Sequence, residues 1–256
     1  MTVAGDREPG GEDAERSVQR ERARIARELT SAVAGVAPAG MPNALCRACV
    51  TLLPEFSGLS ASIAEHDVGT AIVLFASDEV ASLLAETQFT LGEGPCMEAL
   101  RLRAPVLADD LTRGPDARRW PLFAVKAAEA GVEAVFSVPL AGAAGPLGTL
   151  DLYRETAGGM RNGQLRTALL VADALTLAVG ALDHASADPS EVVTWLQGAE
   201  SDREEIHQAT GMIMVQLGVS AQEALLRIRA RAFAQDQTSA DVARAIINRT
   251  TDLRHE

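Results

Sequence analysis

The apolar positions change rhythm along this chain. Through MTVAGDREPGGEDAERSVQR they are sparse, and Pro9, Gly10 and Gly11 interrupt them, so residues 1–20 read as a disordered tail. From about Glu21 to Val36 charge and alanine permit a helix with a thin apolar face, stopped by Pro38, Gly40 and Pro42. Leu45, Cys49, Leu52 and Leu53 then recur at helical spacing over Asn43–Leu53. Period two follows. Leu59, Ala61 and Ile63 share one face of a strand over Gly58–Glu65, and Thr70–Ala76 contains the run AIVLFA. HDVG between them predicts a hairpin turn. Helices are expected over Glu79–Glu86, Cys96–Leu102 and Pro121–Ala130, with a strand over Pro105–Ala108. Two further strands, Ala134–Leu140 and Leu147–Tyr153, flank AGAAGP, a loop long enough for a hairpin. In the long helix Asn162–His184, Leu165, Leu169, Ala172, Leu175 or Thr176, Val179 and Leu182 form a seam close to a heptad repeat. Such a seam packs on the domain's own sheet or on a second copy.

Beyond Pro189 the pattern is helical only. Helices are expected over Ser190–Ala199, over Asp202–Leu217 with Gly218 behind it, from the Ser220/Glu223 capping box to about Phe233, and from Ala240 to about Thr251. The last three carry Ile206, Ala209, Ile213 and Leu217; Ala224, Leu225, Ile228 and Ala232; and Val242, Ala243, Ile246 and Ile247. Each is too short to persist alone in water, so they must pack on one another. The fold class is α+β: an antiparallel sheet with packed helices, then an all-α three-helix bundle. The divisions are 1–40 (tail and N-terminal helix), 41–185 (first domain) and 186–256 (bundle).

Composition narrows the function. Of 256 residues 47% are hydrophobic, enough for a real core, and the net charge of −12 gives no global attraction to nucleic acid or anionic membrane. From Arg203 onward seven arginines balance seven acids, so the rest of the chain carries the whole excess. No apolar run is long enough to span a bilayer, and the N-terminal stretch lacks a secretory apolar segment. With three cysteines, these features lead us to expect a reduced, cytoplasmic protein without a disulfide framework.

Chemistry-bearing motifs are few. HExxH, GxSxG, a P-loop and a strand-to-helix GxGxxG are all missing, so we expect no enzyme and no cofactor or metal site. Cys46-Arg47-Ala48-Cys49 is a CxxC on a helix without a second ligand pair; it reads as buried, with a thiol-dependent redox role as the alternative. Cys96, after GEGP, stands at a helix start; Trp120 in RRWP reads as a wedge against the sheet, or as a ligand-stacking surface. Gly211 stands inside a helix, where glycine is worse than alanine by about 1 kcal/mol. Packing at a close helix crossing, beside Ala209, is the first explanation; admitting a base or phosphate to bare backbone is the second.

The string HQATGMIMVQLGVSAQEALLRIRARAFAQDQTSADVARAII resembles the ANTAR domain, a bacterial three-helix RNA-binding module. The matching elements are Gln208-Ala209 with Gly211 and Met214, Glu223-Ala224, Arg229 with Ala232, and Val242-Ala243. Thr210 stands where the family usually has lysine. The resemblance implies binding of hairpins in nascent transcripts, which blocks terminator formation. Gln208, Thr210, Gly211, Arg227, Arg229, Arg231 and Arg244 are the candidate RNA contacts, arginine forks being suited to phosphates. A protein-interaction role for the bundle is the alternative. Upstream, TLGEGPCMEALRLRAPVLADDL, RRWPLFAVKAAEAGVEAVFSVPL and GPLGTLDLYRE resemble a GAF sensory domain over about residues 41–185. GAF joined to ANTAR implies a signal-responsive antitermination regulator that dimerises through terminal helices. Cys96 and Trp120 are the candidate signal-sensing residues. Cys96 is followed by Met97 rather than the histidine of a bilin site, and His66, the one haem-ligand candidate, sits in the HDVG turn. The signal itself is not legible.

Overall fold

The computed structural model describes residues 9–64, 71–142, 145–185, 205–206, 208–235 and 237–251. The first domain runs α1 (Pro9–Val33), α2 (Met41–Leu52), β1 (Gly58–Ala64), β2 (Ala71–Ala76), α3 (Glu79–Leu91), α4 (Pro95–Leu102), β3 (Val106–Ala108), α5 (Gly114–Arg119), α6 (Pro121–Glu129), β4 (Ala134–Gly142), β5 (Gly145–Arg154) and α7 (Asn162–Ala185). The bundle follows as α8 (208–217), α9 (Ala221–Ala234) and α10 (Ser239–Ile247).

The strands form one antiparallel sheet in the order β2-β1-β5-β4-β3, with β5 at its centre. Alternation along the strands gives it two faces. Leu59, Ala61, Phe136, Val138, Leu150 and Leu152 turn to one side, where α2, α7 and the buried Ile25 and Leu29 of α1 cover them. Val135 and Tyr153 turn to the other, beneath α3, α4 and α6, whose Leu84, Ala99, Trp120 and Phe123 complete a second core. Because both faces are covered, β1 is buried along most of its length, Ser60 and Ser62 included. The centre of the sheet is closely packed: a methyl on Gly148 would overlap the Ser62 carbonyl of β1.

Several sequence expectations are corrected. Residues 9–20, read as a tail, are the first turns of α1. Tertiary contacts support this helix: Arg22 Nη2 donates to Asp173 on α7 at 3.2 Å, and Thr167 donates to Glu21 at 2.9 Å. α3 continues past Glu86 to Leu91 because Asp78 caps its start, accepting from Ala81 N–H at 2.8 Å, and only Gly92, at φ +67°, ends it. α5 was not foreseen; Asp116 in it accepts from the Asp109 amide at 3.0 Å. α10 stops at Ile247 rather than Thr251, with Arg249 at φ +57°. The α7 seam is largely occupied within the chain: Ala172 and Leu175 are buried against the first domain, while Leu169 and Leu177 are exposed. His66 with the HDVG turn, the expected helix Ser190–Ala199, and the ranges 1–8 and 202–204 lie outside the described residues. Among the described residues no helix is long and apolar enough to cross a membrane.

Candidate sensory cavity and nucleic-acid interface

The sheet face beneath α3 and α4 carries a strip of polar side chains. Register places Ser137 of β4 and Ser60 of β1 on either side of Asp151 in β5, and Ser62 beside Thr149 one step along. All five are buried. Such a strip costs free energy unless its members bond to each other or to a guest. Thr149 Oγ1 donates to Asp151 Oδ2 at 3.2 Å. Among the described residues Asp151 Oδ1, the Ser62 and Ser137 hydroxyls and the Gln88 amide nitrogen have no hydrogen-bond partner. Burial raises the Asp151 carboxyl from its ordinary 3.8 to about 7, against the opposing pull of Ser137 and Thr149. Gln88, Leu84, Tyr153 and Asp151 line a cavity of about 10 Å³, room for a single water.

α3 closes this cavity with Ala81, Leu84 and Gln88, and α4 is tied to it. Gln88 is fully buried on α3 and its carbonyl accepts from the Cys96 amide at 2.7 Å, joining α3 to the first turn of α4. The Cys96 side chain packs inside, and burial, followed by the Asp151 charge, pushes its thiol well up. The helix-start thiolate that the sequence allows is thereby opposed by desolvation. Trp120 is buried in the second core with the Arg119 guanidinium 4.7 Å from its ring centre, so it acts as the expected wedge. Cys46 and Cys49 are buried free thiols, both raised by desolvation. Among the described residues no group of three or more His, Cys, Asp or Glu side chains is arranged to hold a metal ion. Sequence reasoning passed over Asp151, Ser62, Ser137, Thr149 and Gln88. Their signal was present as polar alternation in LSASIA, VFSVPL and GTLDLY, opposite the apolar face that was read.

The bundle core is Ala209, Ile213, Ala224, Ile228, Ala232, Val242, Ala243 and Ile246. Around it the seven candidate contacts scatter. Gln208 and Gly211 are exposed, three residues apart on one side of α8 with Val215. Thr210 is buried and its hydroxyl donates to the Ile206 carbonyl at 2.7 Å. Arg227 donates to Glu223 at 2.7 Å, and Arg244 pairs with Glu205 at 3.1 Å and Asp241 at 3.0 Å. Arg231 is partly exposed. Arg229 is turned inward against the first domain, where burial lowers its pKa, and its Nη1 lies 3.1 Å from the point a Cβ of Gly92 would occupy. The packing explanation for Gly211 finds no support: among the described residues no atom outside its own helix backbone lies within 4 Å of where its Cβ would stand. Ala209, with no exposed surface, is the small residue at the crossing.

Comparison with known proteins agrees with this division. The GAF domain family (GAF_2) matches residues 41–179 and the ANTAR domain family matches residues 194–247. No curated protein matches. Among solved structures, the GAF domain of a phosphoenolpyruvate-protein phosphotransferase from Coxiella burnetii is 15% identical, covering 66% of this chain and 98% of its own, with a TM-score of 0.48. The chromophore-binding domain of a bacteriophytochrome from R. palustris is 13% identical (67% of this chain, 64% of its own, TM-score 0.43). A type II free methionine-R-sulfoxide reductase from Thermoplasma acidophilum is 15% identical (55% and 90%, TM-score 0.39). The sheet with its two helical layers and the separate C-terminal helices are where these two family matches fall. The chain belongs to the GAF family, and the ANTAR domain behind it gives it the architecture of the GAF–ANTAR antitermination regulators.

Proposed function

We propose that this protein is a cytoplasmic, signal-responsive regulator whose ANTAR bundle grips hairpins in nascent RNA under control of the GAF domain. The observation that carries the reading is Gly211. It sits in a helix, is exposed, and has open space where a side chain would be. Glycine there sacrifices about 1 kcal/mol relative to alanine, and no described residue packs against the bare backbone. A partner from outside that approaches the helix closely accounts for it. Gln208 beside it, and arginines that can change partners from carboxylates to phosphates, supply the polar contacts.

The signal enters, in this reading, at the Asp151 cavity, where Asp151 and Gln88, each with an unpartnered polar atom among the described residues, line a space closed by α3. A second copy of the chain would cover Leu169 and Leu177, exposed eight residues apart on α7. We propose no enzymatic role: Cys46, Cys49 and Cys96 are all buried with raised thiol pKa values, contrary to what a thiol catalyst needs.

The test is binding of the full chain to hairpin RNA and to unstructured RNA of equal length across a salt series. Hairpin preference that survives moderate salt is expected, and Gly211→Ala should weaken it about tenfold while the helix content holds. Equal affinity for both RNAs, or no effect of the added methyl, would refute the assignment.

A further inference from the structure

α3 has two working faces. Its inner face, Ala81, Leu84, Ala85 and Gln88, closes the polar cavity. Its outer face receives the bundle. α9 packs along it, and Ser239, at the start of α10, donates to Thr90 Oγ1 at 3.4 Å in a buried contact. Arg229 is enclosed here beside Gly92. The junction leaves a cleft of about 470 Å³ lined by Ser82, Glu86 and Phe89 of α3 and by Leu225, Arg229 and Arg244 of the bundle.

This placement has two consequences for RNA. The Arg229 guanidinium, partly buried against another domain, is less available to phosphate, whereas Arg244, on the same cleft, is paired within the bundle itself to Glu205 and Asp241. Residues 1–185 also carry two thirds of the chain's net negative charge and are held against helices that are neutral from Arg203 onward, so their field opposes the approach of a polyanion.

We propose that docking of the bundle on the outer face of α3 is an autoinhibitory contact that withdraws Arg229 from RNA, and that α3 transmits release from the cavity on its inner face. The inference rests on the RNA-binding reading above and names how that activity is regulated. Gln88 is the inner trigger: its carbonyl holds the Cys96 amide while its amide nitrogen is unpartnered. A guest that engages that nitrogen must widen a cavity that now has room for one water, and so moves the C-terminal half of α3, two residues before Thr90. The outer face then loses its register with Ser239 and Arg229, and the docked population falls.

The contact gives its own test. Thr90→Cys with Ser239→Cys in the full chain places two thiols where the hydroxyls now meet, and the three native thiols are buried. Oxidation should crosslink the pair within one chain, read by mass and non-reducing mobility, with each single variant as control. The oxidised protein should bind hairpin RNA at least about tenfold more weakly than the same protein reduced. Conversely, Thr90→Arg, too long for its buried place, should bind more tightly than the unaltered chain by a similar factor. A crosslink that leaves affinity unchanged, or failure of the pair to crosslink at all, would overturn the inference. If the crosslink forms yet neither the reduced form nor Thr90→Arg binds RNA, the RNA-binding reading fails, and the gate fails with it.

Discussion

Replacing Asp151 by asparagine tests the polar strip most directly. The carboxyl is held near 7 in the folded chain against 3.8 ordinarily, with burial as the main cause. The folded state therefore binds this proton more tightly than the unfolded one. Its contribution is fully present below pH 3.8 and is lost as pH rises toward about 7, the unfolded chain ionising first. At about 1.4 kcal/mol for each pH unit, the whole span amounts to roughly 4 kcal/mol, and the part between pH 5 and pH 7 to roughly 2 to 3 kcal/mol. Asparagine has no proton to lose, so the stability of Asp151→Asn relative to the parent should grow by that amount from pH 5 to pH 7 and level off above it. Urea unfolding would be followed by the fluorescence of Trp120, which is buried in the same domain, with Trp195→Phe in both proteins to remove the second indole. Every other titrating group is shared, so the difference isolates Asp151 and its neighbours Thr149, Ser137 and Cys96. Parallel stability curves would mean that water solvates the carboxylate, and the strip would then not be a site in waiting.

Other outcomes follow from the same geometry. Gly211→Ala should raise the thermal midpoint of the bundle by a few degrees, the added methyl meeting nothing; a lower midpoint by circular dichroism would restore a packing role. Gly148→Ala should cost several kcal/mol or prevent folding, since the methyl must displace the Ser62 carbonyl from the β1–β5 ladder; a fold of unchanged stability in urea would contradict the close approach. Cys46, Cys49 and Cys96 should react with an aromatic disulfide reagent only as fast as the domain opens, and all three at once in denaturant. A rapid single-thiol phase in the native protein would revive the redox alternative.

What the sequence made legible was decided by periodicity. The strands of the two hairpins and the capped bundle helices announce themselves through local spacing and capping residues, whereas the central place of β5 does not, because strand order is set by long-range pairing. The first turns of α1 do not, because their support is α7, more than a hundred residues away. The polar strip was overlooked because serine and threonine opposite an apolar face read as solvent-facing; only the helices above the sheet make them interior. Gly211 shows the reverse error. The sequence placed a small residue near a helix crossing, and the crossing fell two positions earlier, at Ala209. Arg229 was read as an RNA contact, and no local feature marks it as the residue that the first domain encloses.

The proposed gate also asks how firmly the bundle should be held, and the junction answers in physical terms. Its Ser239–Thr90 hydrogen bond is long, at 3.4 Å, and clefts of about 470 and 330 Å³ flank it. Enclosing Arg229 removes hydration from a cation, which opposes docking. Apolar contact from Leu225 and Phe233 toward α3 acts in the other direction. The balance is a docked state of small net stability, as befits an interface between domains that must separate. A tightly packed junction would need a guest with a very large preference for the open form; shifting a 99:1 population to its reverse takes about 5.5 kcal/mol. A loose junction lowers that demand to what a few hydrogen bonds in a small cavity supply. Filling the cleft should therefore lock the regulator: Ser82→Leu, at its α3 wall, is expected to add apolar contact, strengthen docking and weaken hairpin binding, with fold and oligomeric state unchanged. Tighter binding from that variant would show that the cleft is not part of the hold.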